Sequence, residues 1–155
     1  MAIDMPMNPF STEVEAISMD GFQVVSGEYF SHFNRSVTPS CTIWNGGITF
    51  NKASLTALNN CERIRVEINA RKMCLLAVPV TAKDRDAIVW RKNVKEYVPR
   101  RMESIRFSSR IYEMWGWDPD FTYRAPGRLV TVDSKVMLLY DFSSPEQWES
   151  KGKTR

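Results

Sequence analysis

Ile48 to Val80 read ITFNKASLTALNNCERIRVEINARKMCLLAVPV, and this stretch decides the fold. It opens on a short apolar strand, Ile48-Thr49-Phe50, that runs into Asn51. Asn51 is a residue type whose side chain can accept the free N–H groups of a helix start, so Lys52 to Leu58 is predicted as a short helix. Leu55 and Leu58 lie three apart, on one face of it. Asn59-Asn60 tolerate the left-handed backbone that ends a helix. Arg63 to Ile68 alternates strictly, with Ile64, Val66 and Ile68 inward and Arg63, Arg65 and Glu67 outward. Asn69-Ala70 then turns the chain into Lys72 to Val78, a nearly continuous apolar strand stopped by Pro79.

The same order recurs about 57 residues later. Ile105-Arg106-Phe107-Ser108-Ser109 is expected to open a second unit, with Ser108 or Ser109 capping a helix from Arg110 to Trp115 that Gly116 terminates. About six extra residues, within Trp117 to Gly127, separate this helix from a hairpin whose arms are Arg128 to Val132 and Lys135 to Phe142, joined by Asp133-Ser134. Phe50 and Phe107, Leu58 and Trp115, and Leu75 and Leu138 are the matched core pairs. Two copies are too few for a solenoid, and each is too small to own a core. A mainly β chain with short α-helices (α+β) is therefore expected, its two β-α-β-β units folding together as one pseudo-dimer.

The boundaries expected are an N-terminal arm over 1–20, a first barrel half over 21–80, a basic connecting segment over 81–104, a second half over 105–148 and a basic tail over 149–155. A short helix near Ser11 to Ser18, a strand over Gly21 to Phe33 broken at Gly27, and a helix within Thr81 to Pro99 carrying Ile88, Val89 and Trp90 complete the reading. Asn45-Gly46 should make a tight primed turn between Cys41–Trp44 and Ile48–Phe50. Ser143 to Trp148 has proline and acids where a short helix would start.

Composition narrows the function. The chain has 155 residues, 43% hydrophobic and 12% aromatic, enough for a core. No run reaches the length of a membrane span and no basic-then-apolar leader opens it, so a cytoplasmic protein is expected. Cys41, Cys61 and Cys74 lack metal-ligand spacing, and His32 is the one histidine. No metal, no cofactor and no catalytic set is expected. Tyrosine-recombinase chemistry would need more histidine than His32, and each of Asp84, Asp86, Asp118, Asp120, Asp133 and Asp141 has turn or cap chemistry as a simpler role.

The net charge is +3. The first twenty residues hold no Lys or Arg, whereas cations crowd Lys83 to Arg110. Arg63 and Arg65, with Lys72 opposite across the hairpin, either contact phosphates or form a solvated strand face. Lys92, Lys95, Arg100 and Arg101, with Tyr97 among them, suit backbone contact plus stacking, or a polar linker. Arg106 and Arg110 stand at the second helix entry and are the candidates for sequence choice. Trp117 is a candidate for a surface role or for a packed lid.

Ile48-Thr49-Phe50-Asn51-Lys52-Ala53-Ser54-Leu55 resembles the strand-to-helix entry of the AbrB/SpoVT/MraZ family of swapped-hairpin DNA-binding domains, with Asn51 where the family's proline stands. The resemblance covers Ile48 to Val80 and, more weakly, Ile105 to Phe142. The Gly-Asp turn of that family is replaced by Cys61-Glu62. With Gly21 to Phe30 and Thr42-Ile43-Trp44, the chain also looks like small proteins from mobile elements of gut bacteria that are often labelled integrase. The resemblance implies a non-catalytic DNA-binding regulator or accessory protein of a phage or mobile element. Its expected partner is double-stranded DNA, with homo-oligomerisation left open and no membrane or small-molecule cofactor. The alternative is a phage or mobile-element structural or protein-interaction module that touches no nucleic acid.

Overall fold

The computed structural model describes residues 14–26 and 38–150. The chain divides into two compact units, Met1–Phe30 and Ser31–Arg155. The described part of the first, 14–26, has neither helix nor strand; it turns at Asp20-Gly21, where Gly21 has φ 87°. The helix expected near Ser11 to Ser18 is thus absent from 14–18, and the strand expected from Gly21 is absent from 21–26; their remaining residues, and His32, lie outside the described residues.

The second unit is mainly β. Its elements are β1 (Ser40–Trp44), β2 (Gly47–Phe50), α1 (Lys52–Ala57), β3 (Arg63–Asn69), β4 (Cys74–Val80), β5 (Ile88–Val89), β6 (Arg91–Lys92), β7 (Val98–Pro99), β8 (Met102–Glu103), α2 (Ile105–Trp115), β9 (Phe121–Val132), β10 (Lys135–Asp141) and β11 (Glu146–Glu149). Eight strands form one curled, half-barrel sheet in the order β5-β3-β4-β10-β9-β1-β2-β8, with β11 also on β9. All its pairings are antiparallel. The twelve-residue β9 carries the curl: its first part pairs with β1 and β11, its second with β10. The change of partner falls at Pro126-Gly127, where Pro126 has no N–H to donate and a Cβ on Gly127 would stand 2.5 Å from the Tyr140 ring.

Both hairpins form as expected, and they meet through their second strands. In β4–β10, Leu75 faces Tyr140 and Ala77 faces Leu138. In β2–β8, Gly47 faces Glu103 and Ile48 faces Met102. Leu75 and Leu138 are both fully buried, as the matched pairs require.

The other pairs depart from expectation. Ile105-Arg106-Phe107 is the first turn of α2, not a strand, because Ser104 is extended and its hydroxyl accepts the Phe107 N–H at 3.2 Å. Ser104, not Ser108 or Ser109, is therefore the cap, and Phe107 sits on a helix while Phe50 ends a strand. Ser108, Ile111 and Tyr112 fall on the buried side of this helix, a spacing that a strand could not use. Leu58 caps the C-terminus of α1 and is buried, whereas Trp115 is the last residue of α2 and half-buried. The extra length of the second unit is not one insertion: α2 has eleven residues against six in α1, and β9 twelve against seven in β3.

Thr81 to Pro99 contains no helix; Ile88-Val89 extends the sheet beside β3, and fully buried Trp90 plugs the core with its indole N–H on the Cys61 carbonyl at 2.7 Å. One buried aromatic and a β-branched pair satisfied a sheet edge better than a helix face. Glu146–Glu149 is likewise a strand, recruited by the free edge of β9. Asn45-Gly46 links β1 to β2 without a primed turn, since Asn45 keeps a negative φ. Asp133-Ser134 does take positive φ at both positions, 52° and 69°, and Asn59-Asn60 are left-handed as read. Among the described residues no helix is long and apolar enough to cross a membrane.

Candidate nucleic-acid interface

The rigid base of the site is a buried polar knot at the first helix entry. The Asn51 carboxamide oxygen accepts from the Ser40 N–H (3.0 Å), the Ser54 N–H (3.1 Å) and the Ser54 hydroxyl (2.9 Å), while its amide donates to the Thr38 carbonyl (2.8 Å). The buried Tyr140 hydroxyl donates to Ser54 Oγ at 2.7 Å, which ties β10 to α1. Burial pushes the Tyr140 phenol and the Cys41 thiol well above their ordinary values, so both stay neutral. The other end of the core is aromatic: Trp117 stacks on Tyr123 at 4.0 Å, and Trp115 stacks on Phe142 at 5.8 Å. Trp117 is thereby the lid of that end and not a free surface residue.

The candidate cations separate into two kinds. Arg63 and Arg65 point outward on β3, as expected, but both are ion-paired. Arg63 meets Glu62 at 2.9 Å; Arg65 meets Glu67 at 2.9 Å and also Asp84. Asp84 lies below the usual carboxylate range, held there by the Asp86 N–H and then by Arg65. Lys72 is not opposite them. The register sets Arg63 against Val80 and Arg65 against Val78, and Lys72 sits in the Ala70–Met73 turn with its N–H on Asn69. Six residues of strand separate Arg63 from that turn, roughly 20 Å. The turn needs those four residues because Met73 takes the left-handed φ of 54°.

Between positions 92 and 110 the picture reverses. Lys92 is exposed on β6, Lys95 lies at the tip between β6 and β7, and Arg100 and Arg101 join β7 to β8. Arg106 and Arg110 are exposed one turn apart on α2. Among the described residues none of these six takes part in an ion pair. Arg100 and Arg101 are nonetheless held in place. Arg100 donates to the Val89 carbonyl at 3.1 Å, and Val89 faces Arg63 across β5–β3, so Arg100 and Arg63 are neighbours. Arg101 lies over the Trp44 indole at 3.8 Å. Lys52 reaches the Glu96 carbonyl at 3.1 Å and pins the tip.

The structure also shows residues that the sequence reading passed over. Arg91 stacks on Tyr97 at 4.3 Å, and Arg124 covers Trp148 at 5.1 Å while pairing with Glu146 at 2.6 Å. Trp44 shares the outward side of β1 with Thr42, an alternation legible in Cys41-Thr42-Ile43-Trp44. Its indole lies against Gly46 and Gly47, where a Cβ on Gly47 would stand 2.6 Å from the ring. Among the described residues no group of three or more His, Cys, Asp or Glu is placed to hold a metal. The chain matches no protein-family model, no curated protein and no solved structure, so its functional reading rests on this geometry.

Proposed function

We propose that the chain is a non-catalytic DNA-binding module, serving as a regulator or accessory protein of a phage or mobile element. The observation that carries this reading is the run of six cations from Lys92 to Arg110 that has no carboxylate partner among the described residues, whereas Arg63, Arg65 and Arg124 are neutralised. An unpaired guanidinium or ammonium gives up little when it meets a phosphate, whereas Arg65 would first have to leave Glu67 and Asp84. Arg106 and Arg110, on a capped helix, supply the most rigid pair.

The finer architecture belongs to the same proposal. Two β-α-β-β units related by a local two-fold would pair equivalent strands antiparallel, and β4 does pair with β10 and β2 with β8 in that sense. An AbrB/MraZ-like pseudo-dimeric barrel is the arrangement this favours, with the resemblance of Ile48 to Val80 as its second support.

Fluorescence anisotropy with a generic DNA duplex over a series of salt concentrations tests the function. Affinity should fall by about 0.9 log unit per log unit of salt for each phosphate neutralised. Arg106→Ala with Arg110→Ala should flatten that slope by about two contacts. Arg63→Ala with Arg65→Ala should flatten it less, since both arginines start from ion pairs. Absence of duplex binding at low salt would turn the reading to a protein-interaction module.

A further inference from the structure

Three strands at one end of the sheet, β11, β9 and β1, carry a row of residues on their outer face. Trp148 faces Thr122 across β11–β9. The β9–β1 register pairs Tyr123 with Ile43, and its next step sets Thr122 beside Trp44. Residues directly opposite each other in a pleated sheet share a face. Ile43 and Tyr123 fill the core side, so Trp44, Thr122 and Trp148 line the other. Two strand spacings put the Trp44 and Trp148 backbones about 10 Å apart, with a small threonine between them.

These residues line a solvent-open groove of about 510 Å³, within the usual size of a ligand site. Arg101 lines it too, and among the described residues no carboxylate does. Each indole is backed by a guanidinium: Arg101 over Trp44 at 3.8 Å and Arg124 over Trp148 at 5.1 Å. Glu146 engages Arg124 at 2.6 Å, which leaves Arg101 as the uncompensated charge. Trp148 is 36% exposed although it stands in a regular strand.

We infer that this groove is a stacking slot for unpaired bases of single-stranded nucleic acid. Every base has a π-face, and indole and guanidinium planes are the side chains that bind it without reading its edges. The Trp44 indole already packs on Gly46-Gly47 and carries Arg101 at 3.8 Å, so the plane a base meets there is the guanidinium, which also attracts the accompanying phosphate; the Trp148 indole supplies the aromatic plane. The Thr122 and Ser150 hydroxyls, 2.8 Å apart at the floor, add polar groups without charge. This goes beyond duplex binding and does not require it: Arg101 is common to both, but Trp44, Thr122 and Trp148 belong to the groove alone, and Arg106 and Arg110 lie outside it.

The test is anisotropy of the full chain with labelled oligo(dT) of about twelve nucleotides, an abasic strand of equal length, and a duplex. Oligo(dT) should bind more tightly than the abasic strand. Trp148→Ala should weaken oligo(dT) roughly 5- to 100-fold, with abasic-strand and duplex binding unchanged, and Trp148→Phe should restore most of the loss. Arg101→Ala, outside the regular strands, gives a second variant should Trp148→Ala melt early; it too should weaken oligo(dT). Equal binding of oligo(dT) and the abasic strand would overturn the slot, as would normal oligo(dT) binding by both variants. Oligo(dT) binding by a chain that binds no duplex at low salt would count against the duplex reading and leave the slot standing.

Discussion

The unit from β2 to β4 and the unit from β8 to β10 pass through the same strand, capped helix and hairpin, yet they place their polar residues differently. The first turns its cap inward: Asn51 serves Ser40, Ser54 and Thr38 at once, and Tyr140 completes the knot from the other unit. Its helix is only six residues long, and its outward arginines are neutralised on the spot. The second uses Ser104 for a single bond to the Phe107 N–H, and extends to an eleven-residue helix that ends in left-handed Gly116. That longer helix buries Ser108, Ile111 and Tyr112 and leaves Arg106 and Arg110 in solvent. A shared plan thus yields one unit specialised for holding the core and one that presents charge.

The largest effect tests where the two units remain equal. Leu75 and Leu138 are each 0% exposed, so Leu75→Ala and Leu138→Ala should each cost about 2–5 kcal/mol in denaturant unfolding. A large cost at one and a negligible cost at the other would break the equivalence of β4 and β10.

The caps should separate the units. Ser104→Ala removes one helix-start acceptor and should cost about 1 kcal/mol. Asn51→Ala removes in addition the acceptor of the Ser40 N–H and of the Ser54 hydroxyl, and should cost roughly 2–3 kcal/mol. Equal melting shifts for the two variants would erase the contrast between an inward and an outward cap.

Tyr140→Phe sharpens it further. The ring keeps its packing on Phe50, 5.4 Å between centroids, and only the bond to Ser54 is lost. A cost near 1 kcal/mol is expected, smaller than that of Asn51→Ala because Ser54 still reaches Asn51.

The smallest effect is a pH dependence of the first unit's surface. The Asp84 carboxyl is held below its ordinary range by the Asp86 N–H and then by Arg65. A depressed carboxylate stabilises the folded chain above the unfolded value near pH ~4, and this contribution disappears as pH falls through the folded value. Asp84→Asn should therefore flatten the loss of melting temperature with acid below about pH 4. An identical acid profile for the two proteins would show that the Arg65–Asp84 pair contributes nothing.

Much of the first unit was legible because its signals are local. Asn51 before a leucine-faced hexamer, left-handed Asn59-Asn60 and the alternation of Arg63 to Ile68 each reflect backbone chemistry within a few residues. The second unit misled at its entry because Ile105-Arg106-Phe107 alternates like a strand. Only the wider spacing of Phe107, Ser108, Ile111 and Tyr112 shows the helix. The stretch from Thr81 to Pro99 misled for a different reason: Ile88, Val89 and Trp90 carry no period long enough to choose, and the free edge of β3 chose for them.

The sequence by itself determined the mainly β class, the two hairpins, the caps at Asn51 and Gly116, and the crowding of cations before Arg110. All follow from short-range sterics, turn chemistry and the two-residue period of a half-buried strand. Tertiary structure alone decided which cations are free and which aromatics meet. Arg65 finds Asp84 nineteen residues away, and Arg101 finds Trp44 across β2 and β8. Trp148 joins Trp44 only because β9 accepts β11 on one edge and β1 on the other. Charge pairing and stacking act through space over a few ångströms, and sequence separation does not encode that distance until the sheet has set its register.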